Sequence, residues 1–286
     1  MRANPSRRQS APRLVLSDRD RELLNLLDRH LLLTREQLQL LLDWPCVTRI
    51  NRRLRQLFDA GLVERRFMPV QSGSAPAIYY LGREGIRHLA SISQNDLDML
   101  LRRRRRIRRM PDSTLAHDLG ISDFAAALIG HCLKTSGGEW ISWLNEYAFL
   151  NTCQTAKVPL AVMPRPDGYG RYAINRLLYH FCLELDTGSE SLRRLRRKLE
   201  LYQLAQSSGY FRKLFKLSRL TVLIVTTSSG RAASLAARLP QSPSLRVLVG
   251  TLTEVTQNPL FGSVWNMPGQ QTTTSLHRQE VTKERS

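Results

Sequence analysis

The chain has 286 residues, a length that predicts two domains rather than one small module. Its 43 Lys and Arg residues outnumber 24 Asp and Glu residues, and the formal net charge of +19 favours a polyanionic partner, with nucleic acid ahead of an anionic membrane surface. No apolar run approaches the roughly 20 residues of a membrane span, and the N-terminus lacks the apolar core of a signal peptide, so we expect a cytoplasmic protein. The four scattered cysteines argue against a zinc or redox motif.

The first part of the chain combines a basic arm with helical segments. Residues 1–13 are basic and aperiodic, which predicts a flexible arm. Ser17 is placed to cap a helix, and Thr34 with Gln37 forms a capping-box pattern at the head of a second helix. Pro45 stands where a third helix begins.

The third helix is expected from Cys46 to Ala60, with an apolar stripe and a terminating Gly61. A strand at 62–67, a flexible tip at 71–76, a returning strand at 77–81 and a final helix then follow. Three helices and a two-stranded ribbon resemble the winged helix-turn-helix modules, and we assign residues 14–94 to such a DNA-binding domain. The resemblance implies that the third helix enters the major groove and that the tip at 71–74 touches the DNA.

The polar face of this helix carries the side chains that we expect to contact DNA. Arg and Asn can bond to guanine and adenine edges and to phosphates. A winged helix used for protein pairing, with solvated arginines, is the alternative. The predicted DNA-facing residues are Thr48, Arg49, Asn51, Arg52 and Arg55.

Residues 95–112 form an arginine-rich segment, in which Arg102, Arg103, Arg104, Arg105 and Arg106 are consecutive. Like charges at this density repel one another along an isolated helix. We therefore predict a linker, or a basic helix that becomes ordered against phosphates, which adds salt-sensitive affinity for DNA. A solvated linker without a specific role is the alternative.

The second domain is expected at 113–269, with residues 270–286 as a disordered tail. A helix from Ser113 or Thr114 to about Lys134 is followed by strand-like segments at 139–150, 171–174 and 177–186. A capping box at Thr187 and Glu190 opens another helix, and apolar strands at 220–227 and 245–249 flank a further helix. The fold class is therefore α+β or α/β.

Three carboxylates are expected to converge in this domain. Glu184 and Asp186 are two residues apart on a strand and so point to the same face, and Asp167 begins the preceding strand. Carboxylate oxygens suit a hard cation such as Mg²⁺, so the sequence predicts a metal site made by these three residues. In the alternative reading, Asp167 shapes a turn and the other two pair with Arg193 or Arg194.

This arrangement resembles the PD-(D/E)XK nucleases, whose domain has the restriction-endonuclease-like order αβββαβ. The resemblance implies that Asp167 and Glu184 hold Mg²⁺. Asp186 stands where that family has its lysine, a departure that puts cleavage in doubt. Lys198 is the candidate replacement, with Tyr202 on the same helix face and Glu146 as a further ligand or acid.

The segment from about residue 14 to residue 269 resembles the replication-relaxation family of plasmids and mobile elements. The motifs behind this resemblance are the winged helix, the helix with His117-Asp118-Leu119, Trp143 with Glu146, Pro166-Asp167-Gly168, Glu184-Leu185-Asp186-Thr187-Gly188, the helix with Lys198 and Tyr202, and Trp265. It implies a double-stranded DNA-binding protein that acts in replication and DNA relaxation, with replication or mobilisation proteins as further partners and a homodimer as one possible state. A Mg²⁺-dependent nickase or endonuclease and a winged-helix transcriptional regulator are the alternatives.

Overall fold

A computed structural model describes residues 14–69, 75–92, 96–217, 219–270 and 272–277. The expected arm at 1–13 and the expected tip at 71–74 lie outside these residues. The chain divides into two compact units after Ser122. Within the described residues, no helix is long and apolar enough to cross a bilayer.

The first unit begins with three helices whose starts follow local capping chemistry. These are α1 (Asp18–His30), α2 (Arg35–Leu41) and α3 (Val47–Asp59). The hydroxyls of Ser17 and Thr34 accept from backbone N–H groups three residues later, which completes the two capping boxes. After α3, Gly61 has a φ of +72°, and the Leu62 N–H donates to the Leu57 carbonyl, so the helix ends as Gly61 predicts.

A small antiparallel sheet completes this part of the first unit. Its strands are β1 (Leu33–Thr34), β2 (Val63–Phe67) and β3 (Ala77–Leu81), in the order β1-β3-β2. Helix α4 (Arg83–Ile92) follows. Ile50, Leu54 and Leu57 of α3 are buried in the core with α1, whereas Val47, at the first turn, is exposed and does not belong to the apolar stripe.

The arginine-rich segment takes the second of its two predicted forms, a basic helix, and is ordered by packing within the first unit. It forms helix α5 (Leu97–Arg109), capped by Asp96, and Leu100 and Ile107 are buried in the first unit. Arg66 of β2 donates to the carbonyls of Ile107 and Met110, at 2.7 and 2.9 Å. The repulsion between arginines is offset because this helix packs on a domain that supplies carboxylates. Helix α6 (Asp112–Lys134) comes next.

The described residues of the second unit are built on a seven-stranded mixed sheet in the order β10-β9-β8-β7-β6-β5-β4. Strands β4, β5 and β6 are antiparallel neighbours, and β6, β7 and β8 are parallel. The strands are β4 (Gly138–Asn145), β5 (Gly168–Ile174), β6 (Leu177–Asp186), β7 (Leu220–Thr226), β8 (Leu245–Thr251), β9 (Trp265–Asn266) and β10 (Thr273–Thr274).

Helices connect these strands and cover the sheet. They are α7 (Glu146–Thr155), α8 (Leu192–Ser207), α9 (Tyr210–Phe215), α10 (Ser229–Arg238) and α11 (Leu252–Gln257), with a 3-10 turn at Leu160–Val162. The strand predicted for 139–150 ends at Asn145, because the Asn145 side chain caps α7 through the Ala148 N–H. A helix therefore separates the first two of the three predicted strands.

Two features fix the core and the end of this unit. Leu195 and Leu199 of α8 pack with Val222 and Ile224 of β7 and with Leu235 of α10 in one buried cluster. The tail expected to be disordered from residue 270 is ordered in part. Thr273 and Thr274 pair with β9, and His277 is buried, so at least residues 272–277 belong to the fold.

Candidate functional site

The candidate site lies at one edge of the large sheet, at the carboxyl ends of β6, β7 and β8. Gly168 pairs with Leu183, so the antiparallel register brings Asp167 opposite Glu184 at the next step. In open α/β sheets, the edge formed by the carboxyl ends of parallel strands is the usual place for a ligand site. We call Asp167, Glu184, Lys198 and Tyr202 the carboxylate cluster.

Glu184 is at the centre of the carboxylate cluster and is almost completely buried, with 3% of its surface exposed. The Tyr202 hydroxyl donates to Oε1 at 2.6 Å, and Lys198 Nζ donates to Oε2 at 2.7 Å. Burial, followed by the nearby charge of Asp167, raises the pKa of Glu184 to about 7, against the opposing effects of Lys198 and Tyr202. The cluster therefore contains a carboxyl group that titrates near neutral pH.

Helix α8 supplies both donors because Lys198 and Tyr202 are four residues apart and share its inner face. Tyr202 is fully buried in the core, and its hydroxyl donates to the Glu184 carboxylate. Lys198 bridges Glu184 and Glu190, whose Oε2 lies 3.2 Å from Nζ. Burial, the largest single effect, lowers the pKa of Lys198, but the nearby charges of Glu184, Asp167 and Glu190 together raise it above its usual value, so this amine stays protonated.

Asp167 is tied to the same strand by its backbone and its side chain. Its N–H donates to the Leu183 carbonyl at 2.9 Å, and its Oδ2 accepts from the Leu185 N–H at 2.7 Å. The residue therefore does more than shape a turn, because it fastens the start of β5 to the end of β6.

The sequence predicted that Asp186 joins Asp167 and Glu184 in a Mg²⁺ site, whereas the structure shows both of its oxygens engaged by protein donors. Its side chain is fully buried, and Arg231 Nε donates to Oδ2 at 2.7 Å. Its other oxygen accepts from the N–H groups of Gly188 and Glu190. The physical reason is that α10 brings a guanidinium to this carboxylate, and neither Arg193 nor Arg194 is its partner.

The residues present do not fit a Mg²⁺ site of three carboxylates. Both oxygens of Glu184 accept from protein donors, and Asp186 neutralises Arg231. Within the described parts of the chain, no group of three or more His, Cys, Asp or Glu side chains is arranged to hold a metal ion. Lys198 and Arg231 therefore supply the positive charges that compensate Glu184 and Asp186.

Glu146, the last candidate for this site, begins α7. Asn145 pairs with Gly168 in the antiparallel register, so Glu146, just after β4, and Asp167, just before β5, lie at the same end of these neighbouring strands. Its half-buried side chain takes no part in the hydrogen bonds of Glu184, Lys198 and Tyr202.

Sequence reasoning missed Arg231 and Glu190 as members of this arrangement. Arg231 lies 45 residues from Asp186, and no local spacing connects the two. Glu190 offered a signal, since it stands eight residues before Lys198 and four before Arg194, with which it pairs at 2.9 Å.

The predicted DNA-facing residues lie on the outer face of α3. Thr48, Arg49, Asn51 and Arg52 are exposed, and the buried residues of the helix lie on the opposite face. Arg55 is partly exposed, and its Nε lies 3.1 Å from Asp59 Oδ2.

The next arginine on α3 has a different role. Arg53 donates through Nε to the buried Asp20 at 2.7 Å, and one of its Nη atoms reaches the Val15 carbonyl. It therefore holds α3 to α1, whereas Arg52 beside it faces solvent.

The five consecutive arginines of α5 divide into two groups. Arg103 and Arg104 face the first unit, with 10% and 14% of their side chains exposed, and pair with Asp28 and Glu64. Their charges are compensated inside the domain, and their place in the DNA-binding set stays a prediction. The exposed members are Arg102, Arg105 and Arg106.

Comparisons with known proteins give one family and one solved structure. A family model described as replication-relaxation matches residues 24–217. No curated protein matches the chain. The restriction endonuclease FokI is a similar solved structure, at 13% sequence identity and a TM-score of 0.32, and the similarity covers 84% of this chain and 42% of that chain. This chain thus spans less than half of that protein's length, and a likeness at this TM-score decides neither fold nor function.

Proposed function

The chain belongs to the replication-relaxation family, and from this premise we propose that it binds double-stranded DNA in the replication of a plasmid or mobile element. In this proposal the first unit is a winged helix-turn-helix module. Helix α3 enters the major groove, and the exposed arginines of α5 add contacts to phosphates.

The exposed polar face of α3 is the observation that carries this proposal. Arg49, Asn51 and Arg52 face solvent on a helix whose other face is fully used in packing. Guanidinium groups bind the guanine edge and phosphates, and an amide side chain pairs with the adenine edge. These three residues therefore have the chemistry for base contacts without being needed for the fold.

Adjacent arginines on α3 provide the test. Arg52→Gln is expected to weaken duplex binding by about tenfold while leaving the melting temperature unchanged, because the side chain is exposed. Arg53→Gln is the matched control, since it removes the same charge one residue along the helix. It leaves the buried Asp20 without its cationic partner and is expected to lower stability.

Binding is measured on duplexes at fixed salt, and stability is measured by thermal unfolding. If Arg52→Gln and Arg49→Gln both bind DNA with the affinity of wild type, α3 does not contact the DNA and the proposal is overturned. A variant set that unfolds in the opposite order, with Arg52→Gln less stable than Arg53→Gln, would show that the assignment of the two arginines is wrong.

The carboxylate cluster supports a structural role better than hydrolysis. Its hydrogen bonds fasten β6 to α8, and those of Asp186 fasten β6 to α10. For this reason we do not place the Mg²⁺-dependent nickase ahead of DNA binding. A regulator confined to its own promoter would be distinguished by footprinting.

A further inference from the structure

The outer face of α8 carries a second concentration of positive charge, in the second unit. Arg193, Arg196 and Arg197 are exposed and lie at steps of three and four residues, so they share one face of the helix. The inner face is occupied by the buried residues of the core and by the two donors of the carboxylate cluster. We call these three arginines the α8 face.

The charges of the α8 face are not used by the fold in the way that other arginines are. Arg53, Arg104 and Arg231 each pair with a buried or nearly buried carboxylate. Arg193 and Arg197, in contrast, have no carboxylate partner among the residues that the structure describes.

Arg196 is positioned rather than neutralised. One of its Nη atoms donates to the Arg238 carbonyl at 2.7 Å, at the end of α10. The bond to a carbonyl leaves the positive charge in place, and the exposed Arg238 adds another. The basic face thus extends from α8 to the end of α10.

The surrounding sequence offers little negative charge to balance this face. Glu200 is the one acidic residue of α8, and residues 201–253 contain no Asp or Glu at all. Glu200 is exposed and shares the face of Arg196 and Arg197, so the face carries an excess of positive charge and not positive charge alone. Such an excess attracts a polyanion and repels other basic proteins.

We propose that the α8 face is a second binding site for the phosphate backbone of double-stranded DNA, separate from α3. Arginine fits this ligand because its fork of N–H groups bonds phosphate oxygens in pairs. Because its arginines are exposed, this face contributes affinity that depends on salt and not on sequence. The inference rests on the proposed function, since it gives the second unit its own contact with the DNA.

The test uses the full chain, a duplex of arbitrary sequence and three double variants. Arg193→Gln/Arg197→Gln removes the α8 face, and Arg49→Gln/Arg52→Gln removes the α3 face. The matched control Lys134→Gln/Arg176→Gln removes two exposed charges from the second unit, near the end of the sheet opposite to the carboxylate cluster. Affinity is measured from about 50 to about 200 mM salt.

We expect the α8 variant to bind about tenfold more weakly than wild type at low salt. The slope of log K against log salt should become less negative by roughly 1 to 2, which corresponds to two lost phosphate contacts. Losses from the α8 and α3 variants should multiply when all four changes are combined, because separate sites act independently.

An α8 variant with the affinity and salt slope of the control would overturn the α8 site while the α3 variant still tests the proposed function. In the reverse result, the α8 variant binds DNA more weakly and the α3 variant binds like wild type. That result would contradict DNA binding by α3 and support the α8 site. Loss of binding to anionic vesicles in the α8 variant, with unchanged DNA binding, would assign the face to a membrane and contradict the proposal. Equal thermal unfolding of all variants confirms that the fold is intact.

Discussion

Glu184 is held among groups that act on its charge in opposite directions. Burial and Asp167 favour the neutral carboxyl, whereas Lys198 and Tyr202 donate to the anion. Because the pKa rises from 4.5 to about 7 on folding, the folded state binds more protons than the unfolded state between these values. Stability from this residue is therefore present at acid pH and is lost as pH rises through 7.

This sign gives a prediction for Glu184→Gln. The difference in unfolding free energy between wild type and variant should fall as pH rises from about 5 to about 7, by at most about 1.4 kcal/mol per pH unit, and level off above that. Denaturant unfolding at a series of pH values measures it. A difference that grows with pH over this range would mean that the folded-state pKa of Glu184 is lowered.

Lys198 is the cation on which the buried acids depend. Lys198→Met should destabilise the protein by about 1 kcal/mol at neutral pH and by more at higher pH, because without Lys198 the pKa of Glu184 rises further above 7 and the buried carboxyl takes up a proton. In the double variant Glu184→Gln/Lys198→Met, part of this loss should be recovered. Additive losses in the cycle would show that the two side chains do not interact.

The sequence predicted part of this cluster for a definite reason. Strand and helix periodicity placed Asp167 beside Glu184, and the four-residue step placed Tyr202 beside Lys198. The partner of Asp186 could not be predicted, because Arg231 reaches it only through the parallel order of β6 and β7 and the start of α10. Sequence periodicity predicts which face of a strand or helix a side chain lies on, but it does not predict which charged residue, distant in sequence, packs against that face.

At the scale of elements, helix α5 shows that a run of arginines can be divided between packing and solvent, because tertiary contacts supply carboxylates to some of its members. Asp28 of α1 and Glu64 of β2 accept two of its five consecutive arginines, and Leu100 and Ile107 anchor it. Helix ends were predictable because capping is local, as at Ser17 and Thr34. The packing of α5 was not, since the carboxylates that compensate it lie 40 and 75 residues away.

Two neighbouring arginines of α5 separate folding from binding. Arg104→Met should lower stability by about 2 kcal/mol, because it leaves the buried Glu64 without its partner. Arg105→Met should change stability by less than about 0.5 kcal/mol and weaken DNA binding instead, because Arg105 is exposed. Thermal unfolding and duplex binding of both variants measure the two effects. Equal stability of the two variants would contradict the division of the helix into inner and outer arginines.

At the scale of the molecule, each unit combines a compact core with an exposed basic helix face. In the second unit, Glu184, Asp186 and Glu190 pair with Lys and Arg side chains of the same unit. We expect supercoiled plasmid DNA to remain uncut in the presence of Mg²⁺ or Mn²⁺, because Glu184 and Asp186 are engaged by Lys198, Tyr202 and Arg231. Gel assays of plasmid topology measure this outcome. Metal-dependent nicking that disappears in Glu184→Gln would show that the carboxylate cluster opens to a metal.

The salt dependence of duplex binding by the full chain tests the central claim most directly. If the exposed arginines of α3, α5 and α8 grip phosphates, log K should fall linearly with log salt, with a slope of about −4 or steeper, and Arg49→Gln/Arg52→Gln should reduce both the slope and the affinity. A slope near zero, or a slope and affinity that this double variant leaves unchanged, would contradict the account.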